Sequence, residues 1–480
     1  MQGAVGTIWM DVEQQPGGLY QRLLFEEPAE NPRHGEGSEG RTRPFPREEQ
    51  QAFTANGPAR ALTESLMEEV TDRDNLNQAY RQVKANQGAP GVDGMTIAAA
   101  CDWIAEHKEQ LIASLIEGSY QPQPVRGVKI SKLGGGTRQL GIPTVIDRLV
   151  QQAILQVLQP LVDPTFSDSS YGFRPGRSAH DALHQAAKYV AEGRTIVVDM
   201  DLEKFFDRVN HDILMARLAR RIADKRLLKI IRRFLEAGLM QEGVCFARNE
   251  GTPQGGPLSP LLANLLLDDL DRELERRGHA FCRYADDCNI YVRSPAAGQR
   301  TLASITRFLE GKLRLRINRE KSAVAPVNER KFLGYRLLAD GALVIAPQSI
   351  QRAKDRIRQL TRRNRGVSFE RVIGELNSFT TGWMAYFRYA KARGALRELD
   401  SWLRRKLRCV RLKQRKRAAS IATFLQHLGV PKNQSWTTAA CGKGWWRMAQ
   451  TPAASQAMSN QWFQQQGLVN LLDRYLELQN

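Results

Sequence analysis

The sequence predicts an α+β domain followed by a separate all-helical domain, and three observations carry that reading. Helical apolar spacing dominates the early chain. Short β-branched runs that end in paired acids occupy the middle, and beyond Gln348 the pattern is helical and basic. At 480 residues the chain is long enough for two or three domains with cores of their own.

Taken in order, residues 1 to about 65 are rich in Gly, Pro, Glu and Arg, the composition of a poorly ordered leader. Apolar spacing becomes helical over 63–84, and Gly88-Ala89-Pro90-Gly91-Val92-Asp93-Gly94 is a turn-forming loop. The stretch 121–143 alternates and carries Gly134-Gly135-Gly136, which predicts a flexible hairpin. A buried helix is expected over 145–161 and another around 179–191. Thr195-Ile196-Val197-Val198-Asp199-Met200-Asp201-Leu202 reads as a buried strand ending in two acids. Ser259 is placed to cap a helix with Pro260 in its first turn, running through Arg277 and closed by Gly278. The apolar face of that helix is Leu262, Leu265, Leu266, Leu270 and Leu274. Alternation then gives strand, tight turn, strand around Tyr284-Ala285-Asp286-Asp287.

Charge narrows the partners. A net charge of +19 points to a polyanion, most simply nucleic acid. Between Gln351 and Arg417 there are 21 Lys and Arg against 5 Asp and Glu, whereas the first seventy residues have 6 Arg against 12 acids. Six cysteines form no Cys-x-x-Cys pair, which argues against a disulfide scaffold or zinc ribbon and fits a reducing cytosol. No apolar run approaches the roughly 20 residues of a membrane span. The first residues do not pattern as a signal peptide.

The acids carry the chemistry. A hairpin turn presents Asp286 and Asp287 to solvent, where burial cannot neutralise them, and a reason for keeping adjacent anions together is a divalent cation. Asp199 and Asp201 are two apart and share a strand face, so geometry leaves both open as the partner acid. Such a set is what two-metal phosphoryl transfer requires.

Several motifs follow one another along the chain. They are Gly88–Gly94, Arg138-Gln139-Leu140-Gly141-Ile142-Pro143, Ser170-Tyr171-Gly172-Phe173-Arg174-Pro175-Gly176-Arg177-Ser178, the Asp201 segment, Gly251-Thr252-Pro253-Gln254-Gly255-Gly256-Pro257, Tyr284–Asp287 and Lys331-Phe332-Leu333-Gly334-Tyr335. The ordered set, from about Asn75 onward, resembles bacterial group II intron-encoded reverse transcriptase/maturases. Gly444-Trp445-Trp446-Arg447-Met448-Ala449 is similar to that family's closing segment. The resemblance implies a right-hand polymerase with fingers and palm over 66–340, a helical thumb/maturase domain over 341–430 and a DNA-binding region over 431–480.

It also implies roles. Asp201, Asp286 and Asp287, with the Leu202 carbonyl, would hold two Mg²⁺ ions, and Asp199 would stand behind them. Phe206 would abut the sugar 2′ position and reject ribonucleotides, leaving Phe205 for the core. Lys132 and Arg138, on the Gly-rich hairpin, suit a triphosphate that must be gripped and released. Gln139 stands where the family usually has Pro. Gln254 can donate to nucleotide or template beside two glycines that permit close backbone approach, and Lys321 would protonate pyrophosphate. Arg174 would order the template channel. In the tail, the stripes Trp383, Tyr386, Phe387 and Leu399, Trp402, Leu403, Leu407 read as core. An exposed face of Arg404, Arg405, Lys406, Arg408, Arg411, Lys413, Arg415, Lys416 and Arg417 would track phosphates.

Beyond His427 there is no histidine and Cys441 is the single cysteine, so the metal-binding endonuclease carried by many relatives is not expected. The implied partners are parent intron RNA, an RNA template with its DNA primer, target DNA and dNTPs, in a bacterial cytoplasm. Two other readings are a reverse transcriptase domesticated without an intron and a splicing-only RNA-binding maturase.

Overall fold

The computed structural model describes residues 63–131, 137–241 and 243–479. They divide into two compact units, 63–182 with Val198–Val324, and Leu183–Val197 with 325–479. Lys132, the Gly134–Gly136 triplet and nearly all of the acidic leader lie outside the described residues.

The first unit opens with α1 (Leu66–Thr71), α2 (Arg73–Ala85) and α3 (Ile97–Ile116). The single helix expected over 63–84 is two, because Asp72 leaves helical geometry and caps the second. Its carboxylate accepts from the backbone N–H groups of Asp74 and Asn75 at 2.9 and 3.2 Å. The alternating stretch is the antiparallel hairpin β1 (Val125–Ser131) and β2 (Thr137–Ile142), with Arg126 opposite Ile142 and Ser131 opposite Thr137. Then come α4 (Val145–Val162), capped by the Thr144 hydroxyl, and α5 (Ala179–Ala191), which matches its expected limits.

Strand β3 (Ile196–Met200) is followed by α6 (His211–Leu218), α7 (Lys225–Glu236), β4 (Leu239–Gln241) and β5 (Val244–Phe246). Next are α8 (Ser259–Arg276), β6 (Ala280–Tyr284), β7 (Asp287–Val292), α9 (Pro295–Phe308) and β8 (Ala323–Pro326). All five leucines predicted for the apolar face of α8 are buried, and Gly278 closes the helix at φ +68. Its start differs from expectation. Leu258 takes the cap position, and the Ser259 hydroxyl instead donates to the Pro253 carbonyl at 2.7 Å, tying α8 to the loop before it.

Two four-stranded sheets result, in the orders β2-β1-β4-β5 and β6-β7-β3-β8. The second places β7 between β6 and β3. The Asp286-Asp287 turn and the Asp201 strand end are therefore carried by adjacent parts of one sheet.

The second unit contains β9 (Tyr335–Leu337) paired with β10 (Leu343–Ile345), then helices α10 (Pro347–Leu360), α11 (Phe369–Phe387), α12 (Arg393–Gln414) and α13 (Ala418–His427). Five short helices follow: α14 (Lys432–Ala439), α15 (Trp445–Met448), α16 (Pro452–Ala457), α17 (Asn460–Gln465) and α18 (Leu471–Glu477). Phe387, Leu399, Leu403 and Leu407 are buried as predicted, while Trp383, Tyr386 and Trp402 stay half-buried. The last helices fold back onto the long ones. Asp400 of α12 accepts from the N–H groups of Leu471 and Leu472, both at 3.1 Å, and the Tyr475 hydroxyl donates to the Ala390 carbonyl at 2.6 Å. Among the described residues no helix is long and apolar enough to cross a membrane.

Candidate active site and basic surface

The Tyr284–Asp287 turn is a two-residue hairpin, with Tyr284 paired to Asp287 and Ala285 at φ +57. A left-handed alanine costs about 1–2 kcal/mol, so surrounding structure must hold it. Arg283 does so from beneath. Its side chain is fully buried, and all five of its N–H donors find acceptors. Nε and Nη2 reach the two oxygens of equally buried Asp271 at 2.7 and 2.6 Å. Nη1 donates to the Asn264 side chain and to the Ala285 carbonyl, both at 2.9 Å, and Nη2 also donates to the Ser170 hydroxyl at 2.6 Å. Burial pushes the Asp271 carboxyl up, and the Arg283 guanidinium pulls it back. The turn's own carbonyl is thus clamped to α8 through one guanidinium. The sequence reading missed this clamp; an arginine inside the apolar run Phe281-Cys282-Arg283 and an acid next to Leu270 were its signals.

Asp286 and Asp287 are half-buried instead of projecting into solvent, because residues 169–172 pack against the turn. Burial raises the Asp286 carboxyl first, and the Asp201 charge adds to the rise while Arg138 opposes it. Asp287 is pushed up to about 7, by burial and then by Asp286, Asp199 and Asp201. Asp286 thus feels the charge of Asp201, and Asp287 feels those of Asp286, Asp199 and Asp201.

Asp201 follows β3. Its backbone is fixed by the 315–322 segment: Asn318 N–H donates to the Asp201 carbonyl at 2.8 Å, Glu203 N–H to the Arg316 carbonyl at 2.8 Å, and the Ser322 hydroxyl accepts from Asp201 N–H at 3.0 Å. These two backbone bonds flank the Leu202–Ile317 bridge, so the Leu202 carbonyl lies outside them. The Asp201 Oδ2 atom is buried without a hydrogen-bond partner, and the Lys321 ammonium stands 3.8 Å away. A buried, unsatisfied carboxylate oxygen beside two acids fits a cation. Among the described residues no three His, Cys, Asp or Glu side chains form a ready metal-holding cluster. Mg²⁺ commonly takes one or two carboxylates and completes its shell with water and substrate phosphates, so the donor set still suits it.

The residues expected at the nucleotide converge in part. After β3 the left-handed Lys204 (φ +49) turns the chain, sending Phe205 into the core at 2% exposure and leaving Phe206 half-buried against it. The Phe206 carbonyl accepts from Thr252 N–H at 2.7 Å, which joins this turn to the Gln254 loop. Arg138 Nε donates to the Gln254 side-chain oxygen, and Gly141 N–H donates to the Gln254 carbonyl at 3.0 Å. Arg138, Gln254, Phe206 and the carboxylates therefore share one neighbourhood. At Gly255 and Gly256 the backbone also comes close to the protein itself. An added Cβ would sit 2.7 Å from the Gly141 carbonyl or 2.4 Å from the Gln151 side chain.

Arg174 is buried, so any ordering of a channel would act through the loop it ties and not through direct contact with nucleic acid. Its guanidinium donates to Asp163 (carboxylate at 2.9 Å, carbonyl at 2.8 Å) and to the carbonyls of Ser167 and Ser170 at 2.6 and 3.0 Å. It holds the 167–174 loop closed.

The basic helix α12 departs most from expectation. Of the nine candidates only Lys413, Lys416 and Arg417 are exposed; the others are half-buried. Arg405 stacks on Trp446 at 3.8 Å and donates to its carbonyl at 2.9 Å. Lys406 lies between Trp402 and Trp446 at 5.6 and 5.4 Å. Arg408 donates twice to the Met458 carbonyl, and burial pushes it down to about 10. Arg411 and Arg415 lie over Phe424 at 5.5 and 4.3 Å, and Lys413 over Trp445 at 5.3 Å.

Carboxylates at adjacent strand ends of one sheet, with an arginine-bearing hairpin beside them, are the arrangement a nucleotidyl-transferring polymerase requires. Comparison with known proteins narrows it. Residues 130–337 match the reverse transcriptase (RNA-dependent DNA polymerase) family, and 350–428 match the group II intron maturase-specific domain. Protein YkfC of Escherichia coli K12 is 34% identical over 314 residues, 57% of this chain and 82% of YkfC. The group II intron-encoded protein LtrA of Lactococcus lactis is 38% identical over 195 residues, 40% of this chain and 32% of LtrA. Among solved structures, a partial Cas6-RT-Cas1–Cas2 complex is similar with a TM-score of 0.35 and 26% identity, over 52% of this chain and 43% of that one. The chain belongs to the group II intron reverse transcriptase/maturase family.

Proposed function

We propose that the chain copies RNA into DNA with Asp201, Asp286 and Asp287 as its catalytic carboxylates, and that it binds its parent group II intron RNA to assist splicing and mobility by target-primed reverse transcription. Family membership supports the polymerase and maturase activities. The assignment to these three residues is supported chiefly by Asp201 Oδ2, buried without a hydrogen bond and facing the Lys321 ammonium at 3.8 Å, and by the Asp201 charge felt at Asp286 and Asp287. Reverse transcriptases use divalent metal. Two Mg²⁺ ions held by the three carboxylates and the Leu202 carbonyl would supply Lewis-acid stabilisation of the attacking and leaving oxygens.

The chain's own groups do the rest. Arg138, held by Gln254, offers a planar guanidinium to a triphosphate oxygen, and nucleotide entry would exchange that contact for one to phosphate. Phe206, fixed through its carbonyl, closes the side where a 2′-hydroxyl would sit. Lys321, beside Asp201, is placed to give a proton to departing pyrophosphate. Lys413, Lys416 and Arg417 supply phosphate contacts to RNA. Target DNA and dNTPs complete the partners, in a bacterial cytoplasm.

Changing Asp286 and Asp287 together to Ala tests the site. Mg²⁺-dependent extension of a DNA primer on RNA should vanish while RNA binding survives. Persistent extension would remove the metal site from these residues.

A further inference from the structure

Phe173 combines two properties that rarely coincide. It holds a left-handed backbone, φ +59, and its side chain is 40% exposed. A bulky L-residue in that region is strained, and a loop needing only the turn would carry Gly or Asn. Burial does not explain the ring either, since it is among the exposed large hydrophobics.

Both neighbours are fixed. Residues Ser169 to Tyr171 run parallel along β6: Arg283 N–H donates to the Ser169 carbonyl at 2.8 Å, Tyr171 N–H donates to the Arg283 carbonyl at 2.9 Å, and Ser170 pairs with Arg283. Two residues further along each chain, Gly172 presses on Ala285. A Cβ there would stand 2.3 Å from the Ala285 nitrogen, and the Gly172 carbonyl accepts from the Asn264 amide at 2.8 Å. On the other side, buried Arg174 ties the loop to Asp163, Ser167 and Ser170. By the register of the Ser170–Arg283 pair, Phe173 is level with the tip of the hairpin that carries Asp286 and Asp287.

We propose that Phe173 is a packing platform for the 3′-terminal nucleotide of the primer, a positioning residue that sets the hydroxyl toward the carboxylates. The inference rests on the polymerase reading above. An aromatic ring stacks on any base or sugar, which suits a site that must accept every primer terminus in turn. Rigid anchoring at Gly172 and Arg174 fixes the Phe173 backbone beside the turn, and the strain at Phe173 is the structural cost of that placement.

The test compares Phe173→Gly, Phe173→Ala and Phe173→Tyr on a primed RNA. Phe173→Gly should raise the thermal midpoint, because glycine accepts the backbone, while the KM for primer–template rises about tenfold, the loss of one stacking contact. The KM for dNTP should stay within about twofold of wild type, and Phe173→Tyr should restore the primer–template KM. A lower midpoint for the glycine variant, or an unchanged primer–template KM for Phe173→Ala, overturns the proposal. The Asp286→Ala/Asp287→Ala enzyme is assayed alongside. If it is inactive while Phe173→Ala is normal, only the role of Phe173 fails; if it extends primers, the reading beneath it fails.

Discussion

Replacing Arg283 by Met should be among the most damaging single changes in the first unit. The substitution removes a cation from a pair in which both side chains are fully buried. Asp271 then keeps a carboxylate with no counter-charge, and breaking a buried pair from one side costs about 3–5 kcal/mol. The Ala285 carbonyl, the Asn264 side chain and the Ser170 hydroxyl also lose a donor, so the lower end of that range is the minimum expected. Removing the second charge separates the two contributions. Arg283→Met/Asp271→Leu should recover at least about 2 kcal/mol relative to Arg283→Met alone, because an apolar pair of similar volume carries no desolvation penalty. Polymerase activity should not return with stability, since the Ala285 carbonyl is still unclamped and the two following acids can drift. Urea unfolding supplies the free energies, and hydrogen exchange in peptides covering 280–292 reports on the hairpin itself. A loss below about 1 kcal/mol for Arg283→Met, or a double variant no more stable than the single, would refute the clamp as drawn.

Three further outcomes follow from the same structure. Gly172→Ala should nearly abolish extension, because its Cβ would fall 2.3 Å from backbone nitrogen that cannot swing away; wild-type activity would show that the turn has slack. Asp147 is buried, and burial lifts its carboxyl to about 6 against hydrogen bonds from Thr144, Tyr120 and Gln123 that pull it down. Its folded pKa lies above the ordinary 3.8, so its contribution to stability is full below that value and is lost as pH rises through about 6. Asp147→Asn should remove a fall of about 3 kcal/mol between about pH 4 and 7, and an undiminished fall in urea titrations across that range would contradict the assignment. Neutralising Lys413, Lys416 and Arg417 should lower the slope of log affinity for intron RNA against log salt by about 2, whereas Arg408→Ala should chiefly reduce stability; equal slopes for the two would refute the division between exposed and covered charges.

The strand ends that carry the acids were legible in the sequence because their pattern is local. Three residues of β-branched strand before Asp199, and an alternating run on both sides of Asp286-Asp287, specify strand ends without any knowledge of the rest of the chain. The five leucines of α8 were legible for the same reason, a period of 3.6 read over one helix. The start of α8 was not. A serine before Pro260 can cap or bond elsewhere, and the choice was made by the Pro253 carbonyl, which only the folded loop brings within 2.7 Å. The partners of Arg174 were not legible either: Asp163 and the carbonyls of Ser167 and Ser170 reach it only once the loop is folded.

The covered arginines of α12 show where the limit lies. Composition counts charges, and 21 basic residues in one stretch correctly announce a polyanion partner. It cannot say which faces of a helix later elements will overlay. Arg405, Arg408 and Arg411 point toward aromatic rings and carbonyls supplied by residues outside α12, so their charge is expressed through packing as much as through phosphate. A guanidinium has a flat apolar face and a polar rim, which lets it lie on Trp446 or Phe424 and still project positive potential outward. Basic side chains thus divide: half-buried arginines fasten the last helices to the bundle, while Lys413, Lys416 and Arg417 stay exposed and, on the proposed reading, are the ones that meet RNA. If that division holds, high salt should release RNA well before it loosens the bundle, because solvent-exposed phosphate contacts are screened while stacked, hydrogen-bonded arginines are not. Loss of the fold and loss of binding at the same salt concentration, followed by circular dichroism and filter binding on one sample, would mean that the same arginines serve both.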